Sequence, residues 1–317
     1  MIRAKDLHGL EPAPGSVTRT WLGVGESWTG PTLLPLIVVC GVRPGPKVVV
    51  AAAQHGDEGY ATLGALEVAE AVKPGELAGQ LWILPCLNVH GYTHGRRNSP
   101  FDQQDMNRVH PGSDSGTVTQ QIAAALHHHV LPGADLLIDL HGGSPEVGDI
   151  AFGRFTDAPG KPSLLPLAQA LPLEFLLDPS SRNLPGMWSS ATPEIGVPQL
   201  AIEAGSAHRH ARENASEWVE IVRAALRHLQ MIPGRAQPGQ LPVRRTASNP
   251  ARVGGVFAAF VALGEQVKAG QRLGEVRNLL GEVLQVVEAS SPGVVAVMRT
   301  GVRVHPGESL VTLAVEA

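Results

Sequence analysis

The sequence predicts an α/β fold, with a mixed central sheet covered by helices on both faces and a small all-β domain at the C-terminus. Apolar strand-like runs alternate with helix-like segments over the first two-thirds of the 317-residue chain. After Val253 the helical periodicity disappears, and short β-rich runs are separated by glycine turns. We therefore expect a larger domain over residues 1–235 and a smaller β-barrel or sandwich over residues 236–317.

The elements of the larger domain follow one another in order. Lys47–Ala53 is a short apolar, β-branched run typical of a buried strand, and Leu81–Leu84 is a second one. Between them, apolar residues at helical spacing predict a helix over Ala61–Val72. A long polar stretch over Pro85–Gly116 is typical of a functional loop. The remaining predicted elements are a helix over Thr119–Val130, strands over Leu136–Leu140 and Gln199–Ile202, and an amphipathic helix over Ala215–Leu229.

Composition and charge argue against several classes of function. The chain has 25 basic and 29 acidic residues, and no basic run favours nucleic acid or an anionic membrane. The longest apolar run, Leu33–Val42, is too short to span a bilayer, and the N-terminus does not resemble a secretory signal. Cys40 and Cys86 form no CxxC pair, so we expect a reducing, cytoplasmic location.

Chemistry-bearing residues cluster where the predicted strands end. His55 and Glu58 follow the first strand, and HxxE spacing across a tight turn lets an imidazole and a carboxylate converge on one ion. His141 follows the strand over Leu136–Leu140, and Asp139 on the same side of that strand can orient its imidazole. Two histidines and a glutamate are typical of a catalytic zinc site that keeps one position open for water. We therefore predict one zinc ion per chain at these three ligands.

Two further segments predict a reaction for this metal. Gln199–Ile202 leads into Glu203, and a glutamate beside an activated water can take its proton and pass it to a leaving amine. The stretch from Arg96 to Arg108 contains three arginines and an asparagine, which suit a carboxylate substrate and a developing oxyanion. Arg182 is a further candidate for substrate contact. The alternative is that it is an ordinary loop arginine with no role in binding. The expected partner is a small molecule, and a homo-oligomer is left open.

Four motifs in this order, HGDE, RRNSPFDQQDMNR, IDLHGG and IEAG, resemble those of the succinylglutamate desuccinylase/aspartoacylase family. That family belongs to the zinc carboxypeptidase superfamily, and the resemblance covers the chain from Lys47 to its end. It implies a zinc carboxypeptidase-like domain and hydrolysis of the amide bond of an N-acylated amino acid. The RxxPxD form of the polar loop is closer to the subgroup that includes ectoine-derivative deacetylases than to aspartoacylase itself.

The resemblance also implies roles for individual side chains. Arg97 corresponds to the arginine that polarises the scissile carbonyl. Asn107 and Arg108 correspond to the pair that binds the substrate carboxylate. Glu203 corresponds to the general base and acid, which agrees with its position after a predicted strand.

Several residues near the site need a separate interpretation. Asp57 and His110 depart from the family, which often has asparagine and phenylalanine there, so we expect the pocket to differ. We expect His94 and His110 at solvated loop positions, and one of Arg96 and Arg97 to be a surface charge. The histidines at 127–129 point in different directions on a helix, which argues against a metal role.

Two alternatives to a deacylase remain. A carboxypeptidase acting on short peptides would use the same residues, and a non-catalytic metal-binding protein would need only the ligands. Intact Glu203 and Arg97 argue against the second. The C-terminal β-domain resembles a lipoyl-type half-repeat barrel, but its expected hairpin tip at residues 289–293 contains no lysine, which argues against a covalent carrier.

Overall fold

The structure is a computed structural model that describes residues 1–27, 30–142, 144–180, 184–205, 211–236 and 239–317. The strands are β1 (Ile2–Arg3), β2 (Val17–Ser27), β3 (Gly30–Cys40), β4 (Arg43–Ala52), β5 (Ala78–Leu84), β6 (Leu136–His141), β7 (Val147–Asp149), β8 (Phe152–Thr156), β9 (Phe175–Leu177), β10 (Gln199–Glu203), β11 (Val243–Pro250), β12 (Gly255–Ala259), β13 (Gln266–Val267), β14 (Arg272–Arg277), β15 (Val283–Glu288), β16 (Gly293–Arg299), β17 (Arg303–Val304) and β18 (Ser309–Glu316). The α-helices are α1 (Gly59–Ala71), α2 (Val89–Thr93), α3 (Val118–Ala125), α4 (Leu165–Gln169), α5 (Trp188–Ala191) and α6 (Ala211–His228). Short 3₁₀ segments cover Ala4–Gly9, Met106–Arg108 and Thr192–Ile195, and a π-helical turn covers Leu126–Val130.

Parallel strands form the centre of the large sheet. β4 pairs in parallel with β5 on one side and β6 on the other, and β6 pairs in parallel with β10. Antiparallel strands flank this centre, with β3 and β2 beyond β5 and with β8 beyond β10. The sheet is therefore mixed, as the sequence predicts.

Helices cover both faces of this sheet. Along β4, Val48 and Val50 point into a hydrophobic cluster with α1 and α6, where Trp218 is fully buried. Val49, on the opposite face, belongs to a second cluster that includes Ile122 of α3. This alternation is what a strand covered on both faces requires, and the predicted fold class is confirmed.

The C-terminal region continues the large sheet and adds a second one. β11 pairs with β9 and β18, and β18 pairs with β16, so the large sheet runs without interruption into this region. The second sheet has the strand order β15-β14-β12-β17. A separate hydrophobic cluster that includes Phe257, Leu273 and Leu313 fills this all-β region. The domain boundary between residues 235 and 236 stays a prediction.

Two long strands precede the first element that the sequence predicts. β2 and β3 form an antiparallel hairpin, and β3 buries Leu34, Leu36 and Val38. Pro35 interrupts this run, yet β5 pairs only with Ile37–Cys40, so Pro35 has a neighbouring strand on one side only. No helix among the described residues is long and apolar enough to cross a membrane.

Candidate metal centre and substrate pocket

The candidate site lies at the carboxyl ends of neighbouring parallel strands. β6 ends at His141 and β10 ends at Glu203, and these two residues are paired in register. β4 ends at Ala52, three residues before His55, and Glu58 immediately precedes α1. Because the carboxyl ends of parallel strands meet at one edge of a sheet, residues distant in sequence converge there.

His55, Glu58 and His141 are buried and face one another. One potential ligand atom from each lies within 4.8 Å of the others. Among the described residues, no other set of three histidine, cysteine or acidic side chains brings its ligand atoms this close together. Glu58 lies between the imidazoles, with Oε1 2.6 Å from His55 Nδ1 and Oε2 3.1 Å from His141 Nδ1. Both histidines therefore present Nδ1 to the same carboxylate.

A second carboxylate lies at the opposite nitrogen of each imidazole. His141 Nε2 is 2.9 Å from Asp139 Oδ2, as the spacing in the sequence predicts. His55 Nε2 is 3.3 Å from Asp105 Oδ1, a contact that sequence reasoning missed. A carboxylate at Nε2 favours the proton on that nitrogen and leaves the Nδ1 lone pair for a metal.

The electrostatics of this cluster favour positive charge. Burial lowers the pKa of His141, but the charges of Asp139 and Glu58 outweigh it and raise that pKa well above its ordinary value. The pKa of His55 is raised in the same way, with burial outweighed by Glu58 and Asp105. Burial of Glu58 is in turn outweighed by the two histidines, which lower its pKa. A buried set of two imidazoles and a carboxylate in negative surroundings fits a zinc ion.

Close backbone packing shapes the turn between the first two ligands. A Cβ at Gly56 would overlap the backbone of Gly91 and Tyr92, so the turn requires glycine there. At Gly59 the nearest atom, in the Tyr92 ring, would be 4.0 Å away. Close backbone packing therefore accounts for the glycine at 56 but not for the one at 59.

A cavity of about 680 Å³ opens over this centre. It brings together every described residue for which the sequence predicts a site role: His55, Glu58, His141, Arg97, Asn107, Arg108 and Glu203. Asp57 also lines it. Arg182 lies outside the described residues.

The polar loop presents its side chains through local contacts. Arg97 donates to Asp105 Oδ2 from Nε and Nη2, at 3.2 and 3.0 Å, and its Nη1 lies 4.0 Å from Glu58 Oε1. Arg108 Nη1 donates to the backbone oxygen of Asn107 at 2.6 Å. Arg96 is exposed outside the cavity, so Arg97 is the one of the two that reaches it.

Glu203 is half-buried on the wall of the cavity. Burial raises the pKa of its carboxyl group, the charge of Glu58 raises it further, and His141 partly opposes the shift. A raised pKa makes the carboxylate a stronger base, which suits a group that takes and returns a proton.

Several lining residues were not found from the sequence. Asp149 and Arg154 follow His141 in the chain, and Arg299 comes from β16 in the C-terminal region. Arg299 Nη2 lies 2.8 Å from Glu146 Oε2 and 3.5 Å from Glu308 Oε2. Because β7 also pairs with β16, the C-terminal region forms part of the pocket wall.

The expectation of a solvated His110 is wrong. Its side chain is buried behind the candidate metal centre and stacks on the Trp188 indole, with ring centroids 5.0 Å apart. His94 is exposed as expected, and its Nδ1 lies 2.9 Å from the backbone oxygen of His90. The histidines at 127–129 belong to no metal-ligand group among the described residues.

Sequence comparison identifies the family. The pattern that defines the succinylglutamate desuccinylase/aspartoacylase catalytic domain matches residues 44–229. The chain belongs to the succinylglutamate desuccinylase/aspartoacylase family. The matched range includes the three candidate ligands and Glu203, which are therefore all within the region that defines this family.

Relatives of this family extend the similarity to nearly the whole chain. N-alpha-acetyl-L-2,4-diaminobutyric acid deacetylase of Halomonas elongata is 26% identical over 301 residues, covering 91% of this chain and 87% of the relative. A product-bound structure of the ectoine utilization protein EutE from Ruegeria pomeroyi has a TM-score of 0.84 at 23% identity, covering 96% of this chain and 97% of that one. A succinylglutamate desuccinylase/aspartoacylase structure from Rhodobacter sphaeroides has a TM-score of 0.81 at 22% identity, covering 95% and 96%. These structures share the fold of this family member, C-terminal region included.

Proposed function

We propose that this chain is a zinc-dependent deacylase that hydrolyses the amide bond of an N-acylated amino acid or a similar small carboxylate. The observation that carries the proposal is the convergence of His55, Glu58 and His141 beside Glu203 in one pocket. When bound, zinc supplies Lewis-acid polarisation of the acyl carbonyl and activation of an attacking water.

Glu203 is the proposed proton carrier. Its carboxylate takes a proton from the water as the oxygen bonds to the acyl carbon. It then donates that proton to the amide nitrogen as the carbon–nitrogen bond breaks, so that the products are an acid and a free amine. The raised pKa of this half-buried carboxyl group supports the first transfer, and the second returns the proton.

Arg97 is the proposed stabiliser of the negative charge that develops on the acyl oxygen. Two hydrogen bonds to Asp105 orient its guanidinium, and Nη1 points toward the ligand Glu58. A donor that is already oriented before the reaction loses little energy in reorganising, which makes it effective at this task.

Asn107 and Arg108 are the proposed binding residues for the substrate carboxylate. Both line the cavity, and Arg108 is fixed beside Asn107 by a hydrogen bond to its backbone. A guanidinium binds a carboxylate through paired hydrogen bonds. Arg182 stays a candidate for the same task.

The name of the Halomonas elongata relative indicates which acyl group to test first. That protein is a deacetylase of an N-alpha-acetylated diamino acid. We therefore propose N-acetylated amino acids as the first substrate class. A cytoplasmic location stays a prediction, and the possibility of a homo-oligomer stays open.

A deacylase screen tests the proposal. The zinc-loaded protein is incubated with N-acetyl, N-succinyl and N-formyl amino acids and with short peptides, and the released amine is measured. We expect turnover of at least one N-acyl amino acid that is lost with a chelator and restored by zinc. Cleavage of peptides alone would favour a carboxypeptidase. Zinc binding without any hydrolysis would favour a non-catalytic metal-binding protein.

A further inference from the structure

A chain of buried polar side chains lies behind the candidate metal centre. His110 Nε2 is 3.0 Å from Gln54 Oε1, and Gln54 Nε2 donates to Asp139 Oδ2 at 2.7 Å. Asp139 Oδ2 is in turn 2.9 Å from His141 Nε2. The exposed fractions are 5% for His110, 0% for Gln54, 1% for Asp139 and 3% for His141, so water does not compete for these hydrogen bonds.

The hydrogen bonds in this chain have only one consistent direction. An ionised carboxylate accepts hydrogen bonds only, so the Gln54 amide must turn its NH₂ group toward Asp139. Its oxygen then faces His110, and His110 must carry a proton on Nε2 to donate to it. Burial lowers the pKa of His110 to about 3, so the ring is neutral and this is its single N–H group.

The orientation of the His110 ring is fixed by packing. The ring lies nearly parallel to the Trp188 indole, at an angle of 7°. The backbone N–H of His110 donates to Gly186 at 3.0 Å, which holds this segment beside the helix that carries Trp188. The stacking contact therefore fixes the plane of the ring, and the hydrogen bond to Gln54 favours the orientation in which Nε2 faces that amide.

We propose that His110 is a positioning residue for the metal centre. Its Nε2–H fixes the Gln54 amide, which holds Asp139 where that carboxylate keeps a proton on His141 Nε2 and leaves Nδ1 to the metal. This inference rests on the proposed zinc site. It assigns a task to a histidine that the sequence predicted at a solvated loop position.

If His110 only filled space beside Trp188, a phenylalanine would replace it without effect on the metal site, because it fills the same space and keeps that contact. The positioning role predicts otherwise. A phenylalanine would leave Gln54 Oε1 buried with no donor within the described part of the chain, and turning the amide over would place that oxygen against Asp139. The loss of the His110 donor should therefore alter the orientation of His141 through Gln54 and Asp139.

Two variants separate these roles through zinc affinity, measured on the metal-free protein by competition with a chelating dye. H110F removes the donor and keeps the ring, while H110Q keeps an amide donor. We expect H110F to weaken zinc binding by about 10- to 100-fold and H110Q to stay within about threefold of the wild type. The visible spectrum of the Co²⁺-substituted protein should change in H110F and not in H110Q. Wild-type zinc affinity in H110F, or equal losses in both variants, would overturn the proposal.

A measurement on the wild-type protein does not depend on either variant folding. Nitrogen-15 NMR of the histidine rings in the metal-free protein reports which nitrogen carries the proton. We expect His110 as the neutral Nε2–H form, and an Nδ1–H form would refute the hydrogen-bond chain. If the wild type binds no zinc at all, the proposed function fails, whereas the NMR result still decides the direction of this chain.

Discussion

Glu203 lies directly beside His141, with the two Cα atoms paired in register at the ends of the parallel strands β10 and β6. The proposed proton carrier and a proposed metal ligand are thus positioned by the same ladder of backbone hydrogen bonds. Sites on regular elements hold their geometry more tightly than sites on loops. Replacing either side chain should therefore change the chemistry without moving the other.

Glu203→Gln tests the proton carrier. The amide has the shape of the carboxyl group but cannot accept the proton, so we expect turnover to fall by about 10²- to 10⁴-fold. Zinc content, measured by mass spectrometry of the metal, should stay at the wild-type level because Glu203 is outside the ligand set. Glu67→Gln on the exposed side of α1 is the matched control. A fully active Glu203→Gln enzyme would refute the mechanism.

Arg97→Ala tests the proposed stabiliser of the acyl oxygen. Removing one donor of this kind typically lowers kcat by about 10²- to 10³-fold. The adjacent Arg96→Ala is a matched control, because Arg96 carries the same charge but is exposed outside the cavity. Steady-state kinetics should show a fall in kcat for Arg97→Ala alone. Equal effects of both substitutions would indicate that only the net charge of the loop matters.

The convergence of the three candidate metal ligands could be predicted from the sequence because each of them follows a buried strand directly or after a short turn. The proximity of His55 and His141 follows from the rule that the carboxyl ends of parallel strands meet at one edge of a sheet. Glu203 was found for the same reason. Most of the predicted central strands and helices agree with the structure because their hydrophobic periodicity is local.

Contacts between distant segments could not be predicted in this way. Asp105 contacts His55 from a loop, and hydrophobic periodicity does not predict the path of a loop. Arg299 lines the pocket only because β16 pairs with β7. His110 was expected in solvent because its neighbours in the loop are polar. Its stacking partner, Trp188, is distant in the sequence, so no local pattern indicates the contact. The hairpin of β2 and β3 was missed because Pro35 interrupts its pattern.

Arg299→Met tests whether the C-terminal region shapes substrate binding. The substitution leaves the Glu146 carboxylate on the pocket wall without its partner at 2.8 Å, which adds net negative charge to the pocket that we propose for a carboxylate substrate. The backbone N–H groups of Thr300 and Gly301 still donate to the backbone oxygen of Glu146, so the wall stays in place. We expect KM to rise by about three- to tenfold, or about 1 kcal/mol, with kcat and zinc content nearly unchanged.

Arg303→Met is the control for that substitution. Arg303 also approaches Glu146, at 3.5 Å, but its side chain is 86% exposed. Water replaces so exposed a partner at little cost, so KM should stay at the wild-type value. If the two variants have the same KM, Arg299 has no particular role in binding.

Gly64→Ala tests the packing of α1 against α6. A Cβ at Gly64 would overlap the indole ring of Trp218, and both residues lie in the buried core. Alanine is the better helix former by about 1 kcal/mol, so propensity alone predicts stabilisation. Overpacking a rigid core typically costs about 1–3 kcal/mol, and the close-packed Trp218 ring has little room to move.

We therefore expect Gly64→Ala to lower Tm, by about 2–4 °C for each kcal/mol of net destabilisation. Gly75→Ala is the matched control, since a Cβ there would meet nothing within 4 Å. Its Tm should stay within about 2 °C of the wild type, as surface substitutions usually change stability by under about 0.5 kcal/mol. A Gly64→Ala protein as stable as the wild type would mean that α6 can shift away from α1. Glu203 ends β10, and α6 is the next element in the chain. Turnover measured on the same sample would then report whether the shift of α6 also moves Glu203.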